Sequence, residues 1–403
     1  MFGFLFFIIF INKNNNRPLI YIMQNEAFFE KQSVLTYQKT KIYEEYIIEY
    51  LPRLLMTYGS CLIADLFCGP GKNGDHNGSP LILLNRLNYI LKNPKFNSKE
   101  NLKVHVLFND EDLGNIENLK KEISAFSFNR DIIKIHIRNQ KYEDLLPDLV
   151  RRPEKSSIPK FFFLDPFTYS NVKMVDLQNL MLLSHSEVLL FLPVFFTYRF
   201  TSAKFKKEHK TRIFIEEFTQ KGMADYNDIH EFMTDIKSRL LTEIKINRMN
   251  PVPYVRYVLL DGGGSKNSLF LITGHPSGML CMNKVAFKNT DDGKCFKVKE
   301  SSQTSLFSNH ENTRFHSLFR KKLIKYLESE EVVTNSAAID FTIREGFRPM
   351  HLKEVIKELY VLKKVRIFVE NNKTVSDSRK WGISESPKKE TIIKWTQDEK
   401  NKN

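Results

Sequence analysis

Three aspartates stand where apolar runs of the sequence end, which is where an acid can face a bound ligand in an open α/β sheet. Asp65, Asp110 and Asp165 each lie one or two residues beyond the end of such a run. Ligands of these sheets bind outside the carboxyl ends of the strands. We therefore expect the three carboxylates to meet in one crevice, where they can accept hydrogen bonds from hydroxyl or amine groups.

The first of these acids opens a glycine turn, Asp65-Leu-Phe-Cys-Gly-Pro-Gly71. Glycine lets the backbone approach a ligand closely, but this turn lacks the third glycine and the spacing of the dinucleotide fingerprint. The pattern favours S-adenosylmethionine (SAM), whose amino-acid end needs backbone contacts and a nearby carboxylate. We predict that Asp65, Phe67, Gly69 and Gly71 bind the methionine end. The alternative interpretation is a purely structural turn.

Polar residues after the second and third apolar runs are candidates for binding the nucleoside part of the cofactor. Asp110 is placed to hold the ribose hydroxyls, because an acid at the end of the second strand commonly has that role. Asn139 or Gln140 is placed to lie beside the adenine. The alternative for Asp110 is that it and Asp112 cap the helix that follows, and the two roles can coexist.

The fourth apolar run ends in Asp165-Pro166-Phe167, which we predict to face the methyl acceptor. The segment is similar to the Asp-Pro-Pro-Tyr/Phe motif of enzymes that methylate exocyclic amines. In those enzymes a carboxylate or amide oxygen and a proline carbonyl accept hydrogen bonds from the amine, and the aromatic ring stacks on the base. One proline of the motif is missing here. The alternative for Asp165 is a carboxylate in a strand-end turn.

Buried parallel strands must position these residues, because continuous apolar runs indicate strands that are covered on both faces. The predicted elements are strands at 61–64, 104–108, 132–137, 160–164 and 186–193, and helices at 26–58, 80–84 and 113–124. Lys39 and Lys41 in the first helix are expected either to meet the cofactor carboxylate or to face solvent. Two later strands, 255–260 and 269–273, are expected to pair as a hairpin around a glycine-rich turn.

The period of the apolar residues changes in the last quarter of the chain. The predicted elements there are helices near 315–327 and 352–360 and a hairpin at 365–375. This order predicts a winged-helix-like module, and such modules often place a helix in the major groove of DNA. We predict that Lys353, Lys357 and Arg366 contact phosphates. A module that packs or binds a protein is the alternative.

Taken together, these motifs resemble those of the three-Cys-motif partner (TcmP) family of SAM-dependent methyltransferase-like proteins. The matching segments are Asp65–Gly71, Gly78-Ser79-Pro80-Leu81, Asp165–Phe167 and Ser186–Leu189, with weaker matches at 269–279 and 348–350. The resemblance covers about residues 30–370. It implies a methyltransferase sheet, bound SAM and a three-Cys-motif protein as a partner. Cys68 and Thr168 stand where the family pattern has Ala and Gly, and Thr168 would narrow the substrate crevice.

Composition adds three expectations about partners and location. The 403-residue chain carries a net charge of +14, which favours DNA or RNA as a partner, although its many Lys and Asn residues are also typical of an AT-rich genome. Its four cysteines lack C-x-x-C pairing, so we expect no metal site and a cytoplasmic location with buried thiols. The apolar run 2–11 is shorter than the roughly 20 residues of a bilayer span, so no stable membrane association is expected.

The sequence therefore predicts an α/β fold, a Rossmann-type methyltransferase sheet flanked by helices, with a C-terminal winged-helix-like α+β module. The expected divisions are an apolar leader that is disordered or not translated, 1–25; the methyltransferase-like domain, 26–290; a linker, 291–313; the winged-helix-like domain, 314–383; and a disordered charged tail, 384–403. The predicted function is SAM-dependent methyl transfer to an amine of a nucleic acid or nucleotide. The alternatives are a degenerate scaffold that binds a protein or nucleic acid, and a nuclease-like or toxin activity of the clustered acids Asp110, Glu111, Asp112 and Asp165.

Overall fold

The computed structural model describes most of the chain between residues 33 and 396. The described residues are 8–11, 18–21, 33–96, 99, 101–151, 158–246, 252–290, 292–297, 308–369, 373–387 and 389–396. Parts of the predicted leader, linker and tail lie outside these residues. Within the leader, Ile8–Ile11 and Pro18–Tyr21 form an antiparallel pair of strands.

An eight-stranded sheet forms the centre of the molecule. Its strands are β1 (Ser60–Asp65), β2 (Lys103–Asn109), β3 (Ile133–Arg138), β4 (Lys160–Leu164), β5 (Ser186–Leu192), β6 (Tyr254–Asp261), β7 (Lys266–Thr273) and β8 (Cys295–Lys297). They lie in the order β3-β2-β1-β4-β5-β7-β6-β8. Strands β1 to β5 are parallel, β7 is antiparallel to β5 and β6, and β8 is parallel to β6. The strand order reverses between β1 and β4, and this switch point is where such sheets bind ligands.

Helices cover both faces of the sheet. They are α1 (Val34–Tyr58), α2 (Ser79–Leu91), α3 (Leu113–Ser124), α4 (Tyr142–Arg151), α5 (Met174–Leu182), α6 (Val194–Arg199), α7 (Lys210–Phe218), α8 (Ile229–Glu243) and α9 (Pro276–Asn289). Helices α1, α2, α3 and α9 share one apolar core with the sheet. Helices α4 to α8 share a second core on the other face.

Alternate side chains of the central strands enter the two cores, which explains why the apolar runs are continuous. Ile63 of β1 and Phe161 of β4 face the first core, whereas Ala64 and Phe162 face the second. A strand that is covered on both faces needs apolar residues at every position. The predicted strands, and the hairpin of β6 and β7, are confirmed.

The C-terminal part forms a third core of helices and a small antiparallel sheet. Its elements are α10 (Ser308–Glu330), β9 (Val332–Thr334), α11 (Asn335–Arg344), α12 (Pro349–Val361), β10 (Val365–Val369), β11 (Lys373–Thr374) and β12 (Ile392–Trp395). The strands lie in the order β9-β12-β10-β11. Helix α11 and strands β9 and β12 were not predicted from the sequence. Strand β12 lies within the tail 384–403 that was predicted to be disordered, and it pairs with β9 and β10. The assignment of the whole as a winged helix stays a prediction. Strand β8, which lies within the predicted linker, belongs to the central sheet.

The strand order, with one antiparallel strand inserted beside β5, gives the chain a Rossmann-type, methyltransferase-like α/β fold. The predicted fold class is confirmed, while the domain boundaries stay predictions. Among the described helices, none is both long enough and apolar enough to cross a membrane.

Candidate active site

The three aspartates singled out in the sequence stand at one edge of the sheet, on the central strand and its two neighbours. Asp65 ends β1, and Asp110 and Asp165 follow β2 and β4 directly. Backbone hydrogen bonds fasten the turn after β1 to both neighbours. The Leu66 N–H donates to the Phe163 carbonyl at 3.2 Å, and the Cys68 N–H donates to the Asn109 carbonyl at 2.9 Å. These bonds hold the turn after β1 in a fixed position between the ends of β2 and β4.

Asp65 is fully buried, and only one of its two carboxylate oxygens has a hydrogen-bond partner among the described residues. Its Oδ2 accepts a hydrogen bond from the Ser79 hydroxyl at 2.6 Å, and its Oδ1 has no hydrogen-bond partner among the described residues. Burial raises the pKa of Asp65 to about 7; the nearby Asp165 carboxylate adds to the rise, and the Ser79 hydrogen bond opposes it. The hydroxyl of Tyr43, also near Asp65, is likewise buried and unpartnered within the described chain.

The glycine turn presents an open backbone at Gly69. This residue has a φ of +63°, and a Cβ built on it would meet nothing within 4 Å. Gly71 has a φ of +86° and is packed, since a Cβ there would lie 2.9 Å from Cδ1 of Leu119. A small hairpin, Lys72–Asn73 with His76–Asn77, then separates the turn from α2. The Gly78 N–H closes this hairpin by donating to the Gly71 carbonyl at 2.7 Å.

Asp110 holds the glycine turn from the side of β2. Its Oδ2 accepts the Gly69 N–H at 2.9 Å. Its Oδ1 accepts the Asp112 N–H at 2.9 Å and the Asn115 side-chain amide at 3.1 Å. Asp112 caps α3, because its Oδ1 accepts the Asn115 backbone N–H at 3.0 Å. Helix capping is therefore found for Asp112, while the ribose-binding role of Asp110 stays a prediction.

Asn109 is a residue of this edge that the sequence analysis missed. It is 1% exposed, and its side chain amide donates to the Leu66 carbonyl at 3.3 Å and to the Gln140 carbonyl at 3.0 Å. The Gln140 N–H donates back to Asn109 Oδ1 at 3.2 Å. Asn139 donates to the carbonyls of Asp110 and Glu111 at 2.9 and 3.0 Å. The only signal in the sequence was a polar residue that ends an apolar run.

Asp165 forms an ion pair with Lys39 of α1, at 2.6 Å between Lys39 Nζ and Asp165 Oδ2. Both side chains are largely buried, and the Lys39 ammonium lies 4.7 Å from the centre of the Phe191 ring. Lys39 therefore does not simply face solvent, and its contact with the cofactor carboxylate stays a prediction. Pro166 is buried, whereas the Phe167 ring is 70% exposed.

Lys41, the other lysine predicted to meet the cofactor carboxylate or to face solvent, forms an ion pair with Glu45 on the same helix, at 3.1 Å. It therefore takes no part in the crevice. The Cys68 thiol lies at the glycine turn, and burial raises its pKa. The Thr168 hydroxyl donates to Asn171 Oδ1 at 2.7 Å and so is held within its own turn.

The acids invoked for a nuclease-like activity do not converge on a common point. Asp110, Asp112 and Asp165 are engaged with the glycine turn, the start of α3 and Lys39, respectively. Within the described residues, no group of three or more His, Cys, Asp or Glu side chains could hold a metal ion. Two-metal catalysis requires such a group, so nothing in this part of the chain favours that alternative.

The basic residues proposed for nucleic acid lie on the C-terminal module. Lys357 on α12 and Arg366 on β10 are exposed, and Lys353 is half-buried. They lie far along the chain from the glycine turn, and their role stays a prediction.

Comparisons with known proteins found similar solved structures only. No protein-family model and no curated protein matches the chain. The crystal structure of human methyltransferase-like protein 13 with SAH matches 68% of this chain and 98% of that chain, with a TM-score of 0.32 and 14% identity. Trm1 from Pyrococcus horikoshii with S-adenosyl-L-methionine matches 94% and 98%, with a TM-score of 0.33 and 10% identity. Likenesses of this size carry no argument, so the fold assignment rests on the strand order.

Proposed function

We propose that this chain binds SAM and transfers its methyl group to an amine of a nucleic acid or nucleotide. The observation that carries the proposal is the glycine turn at the switch point of the sheet. Gly69 faces open space there, and the carboxylates of Asp65, Asp110 and Asp165 stand at the ends of the three central strands.

The residues of the crevice fit the methionine end of the cofactor. Gly69 has no side chain to fill the space beside the turn, so the backbone is accessible to a ligand. Asp65 Oδ1 is a buried acceptor without a partner among the described residues, and an ammonium group is a donor that such an oxygen needs. We assign Asp65, Phe67, Gly69 and Gly71 to this end.

The nucleoside end is assigned to Asp110, Asn139 and Gln140. A carboxylate offers about four acceptor positions, and Asp110 uses three of them within the protein. The position that remains on Oδ2 suits a ribose hydroxyl. Asn139 donates to the Asp110 carbonyl and the Gln140 N–H donates to Asn109 Oδ1, and we assign both residues to the adenine.

The acceptor side is assigned to Asp165, Pro166 and Phe167. When bound, SAM supplies an electrophilic methyl group, and the protein must hold the acceptor nitrogen in line with it. Asp165 accepts a hydrogen bond from the amine, which turns the nitrogen lone pair towards the crevice, and it takes up the proton that the alkylated nitrogen loses. The Pro166 carbonyl is a second acceptor, and the exposed Phe167 ring is available to stack on a base.

The remaining parts of the proposal concern partners and location. The module 314–383 is assigned to nucleic-acid binding through Lys353, Lys357 and Arg366, with residues 26–290 as the methyltransferase domain. Membership of the three-Cys-motif partner family, a three-Cys-motif protein as a partner and a cytoplasmic location belong to the same proposal. They rest on the sequence motifs and on composition.

Calorimetric titration of the full chain with SAM and with its demethylated product SAH tests the first half of the proposal. We expect both ligands to bind and to raise the melting temperature. A chain that shows neither heat nor a thermal shift at millimolar ligand would instead be a scaffold of the same fold. Transfer of a labelled methyl group from SAM to total RNA, DNA or nucleotides tests the second half, and binding without any transfer would overturn it.

A further inference from the structure

A cavity lies at the edge of the central sheet opposite the glycine turn. Its volume is about 480 Å³, which falls in the range of roughly 300–1,000 Å³ found for small-molecule sites. Its walls come from the last three turns of α1, the starts of β4 and β5, and the turn between β7 and α9. Because the carboxyl ends of the parallel strands hold the candidate active site, this cavity is separate from it.

Two sequence motifs that the candidate active site does not use meet at this cavity. Glu187, at the start of β5, lies directly opposite Thr273, at the end of β7, in the sheet register. Both residues line the cavity, together with Ser186 and the turn that begins at Gly274. The motifs at 186–189 and 273–276 are distant in sequence, yet they form one wall.

Glu187 is a buried carboxylate at the base of the cavity. It is 2% exposed, and its Oε2 accepts a hydrogen bond from the Tyr46 hydroxyl at 2.8 Å. The hydroxyls of Thr273 and Tyr50 also hydrogen-bond to it. Burial raises the pKa of Glu187 to about 7, against the effect of these three hydroxyls. The two tyrosine hydroxyls that donate to it leave acceptor positions of the carboxylate unused.

No cation of the described residues balances this carboxylate. Arg53, the basic residue at the wall, is directed to Glu385 at 3.6 Å and to Glu49 at 4.0 Å. Glu187 itself forms no ion pair with a Lys or Arg in the described part of the chain. The hydroxyl oxygen of Ser186, a residue 6% exposed, is a further buried acceptor without a partner there. A buried charge without a counter-charge is costly, so a ligand that supplies a cation gains that energy.

We propose that this cavity binds a small apolar amine, whose ammonium group donates to Glu187. The hydrocarbon or ring part of the ligand packs against Leu54, Leu183 and Ile246, which line the same cavity. The site is independent of methyl transfer and stands even if SAM does not bind.

The test is a calorimetric titration of the full chain with tryptamine and with 3-ethylindole, which has a similar shape but no amine. We expect tryptamine to bind below about 1 mM and at least about tenfold more tightly than 3-ethylindole. The Glu187→Gln variant keeps an acceptor for Tyr46 but removes the charge, so it should abolish the difference between the two probes. Equal affinities in the unmodified chain, or no binding of tryptamine at about 1 mM, would overturn the proposal.

A matched pair of α1 variants keeps the proposal testable if Glu187→Gln does not fold. Thr57 lines the mouth of the cavity and is exposed, so Thr57→Trp places a ring across the mouth without disturbing the core. Met56 is its exposed neighbour and does not line the cavity. Thr57→Trp should weaken tryptamine binding at least about tenfold, and Met56→Trp should leave it unchanged. Identical binding to both variants would place the amine elsewhere.

Discussion

At the scale of single residues, the Lys39–Asp165 ion pair constrains how the crevice can work. The two side chains are 17% and 19% exposed, so water competes little for either charge. The Lys39 ammonium is also stabilised by the Phe191 ring. A methyl acceptor must therefore either replace this ammonium at Asp165 or bind the second carboxylate oxygen beside it. An amine that donates hydrogen bonds can bind Asp165 in either way.

The first prediction separates acceptor binding from cofactor binding. Asp165→Asn removes the charge that would hold the amine and take its proton, so we expect methyl transfer to fall by about 10²–10⁴-fold, the usual contribution of a general base. Affinity for SAM should change less than about twofold, because Asp165 is assigned to the acceptor side. Labelled-methyl assays and calorimetry on the same preparation measure both quantities. Loss of SAM binding with retained turnover would exchange the roles of Asp165 and Asp110.

The second prediction concerns the pH dependence of stability. Because the pKa of Asp65 is raised to about 7 in the folded state from its ordinary value of 3.8, the unfolded chain loses this proton first. The folded chain is therefore destabilised as pH rises between these values, by at most about 1.4 kcal/mol per pH unit. Above pH 7 the whole penalty is present, and below pH 4 it is absent.

Asp65→Asn should remove this penalty. The free energy of unfolding of the variant minus that of the unmodified chain, measured with urea, should be larger at pH 8 than at pH 5. Ser79→Ala serves as the control, since it removes the hydrogen bond to Asp65 but leaves the carboxyl group to titrate. A stability difference between Asp65→Asn and the unmodified chain that does not vary with pH would show that Asp65 has an ordinary pKa.

At the scale of elements, the glycine turn divides into an open half and a packed half. Gly69 and Gly71 both have positive φ, but only Gly71 has a neighbour, Leu119 of α3, against its missing side chain. The turn is anchored to α3 through Gly71 and to β2 through the bond from Gly69 to Asp110. Its open side, at Gly69, is thus accessible to a ligand.

The third prediction follows from this division. Gly69→Ala should cost about 1–2 kcal/mol of stability, the strain of a left-handed residue, and should weaken SAM binding at least about tenfold because the new methyl group occupies the open side. Gly263→Ala is the matched control: Gly263 in the β6–β7 turn also has positive φ and an open Cβ position. It should show the same loss of stability and unchanged SAM binding. Similar SAM affinities for the two variants would place the cofactor away from Gly69.

The elements were largely predictable from the sequence, whereas the contacts between their ends were not. Helix α3 begins and ends where the sequence placed it, because Asp112 supplies its cap, and the buried strands follow from their apolar runs. The Lys39–Asp165 pair joins residues from α1 and the end of β4, and no local pattern encodes a contact across such a distance. Asn109 was missed for the same reason, since its partners lie on two other strand ends.

Helix α11 was not predicted, and its end is held by contacts with elements that are distant in the sequence. Asn283 of α9 donates to the carbonyls of Ile343 and Phe347 at 3.0 and 2.9 Å. The buried Arg256 of β6 donates to the Gly346 carbonyl at 2.7 Å. The end of α11 is therefore fixed by the central sheet and α9, and not by the sequence of α11 alone.

At the scale of the whole molecule, the net charge of +14 indicates a binding surface only if the basic residues are concentrated on one part of the protein. Lys357 and Arg366 are exposed on the C-terminal module, and that module contacts the central sheet through Arg256 and helix α9 through Asn283. A polyanion bound to the module would thus be held at a fixed position relative to the crevice.

The fourth prediction tests whether the charge is concentrated on the module. Replacing Lys353, Lys357 and Arg366 together by Glu should abolish most binding to duplex DNA or RNA and flatten its dependence on salt, because fewer counterions are released. SAM binding should be unchanged. Fluorescence anisotropy at several salt concentrations measures both the affinity and the slope.

A second triple variant controls for net charge. Lys92, Lys95 and Lys120 are exposed and lie on the opposite half of the chain, around α2 and α3. Their replacement by Glu changes the net charge by the same amount, and we expect nucleic-acid binding to persist with a similar salt slope. Equal losses for the two triple variants would mean that the basic surface is a consequence of composition and has no specific binding face.

Helix α1 belongs to both of the proposed sites. Its 25 residues extend over ~37 Å at 1.5 Å per residue. Lys39 near its start pairs with Asp165, Tyr46 in its middle bonds to Glu187, and its last turns line the amine cavity. Two ligands that share one rigid rod are thermodynamically linked: the factor by which an amine changes the affinity for SAM must equal the factor by which SAM changes the affinity for the amine. The two ligands can therefore be titrated in either order, and both orders must give the same total binding free energy. The difference between this total and the sum of the two separate binding free energies is the coupling free energy between the two edges of the sheet.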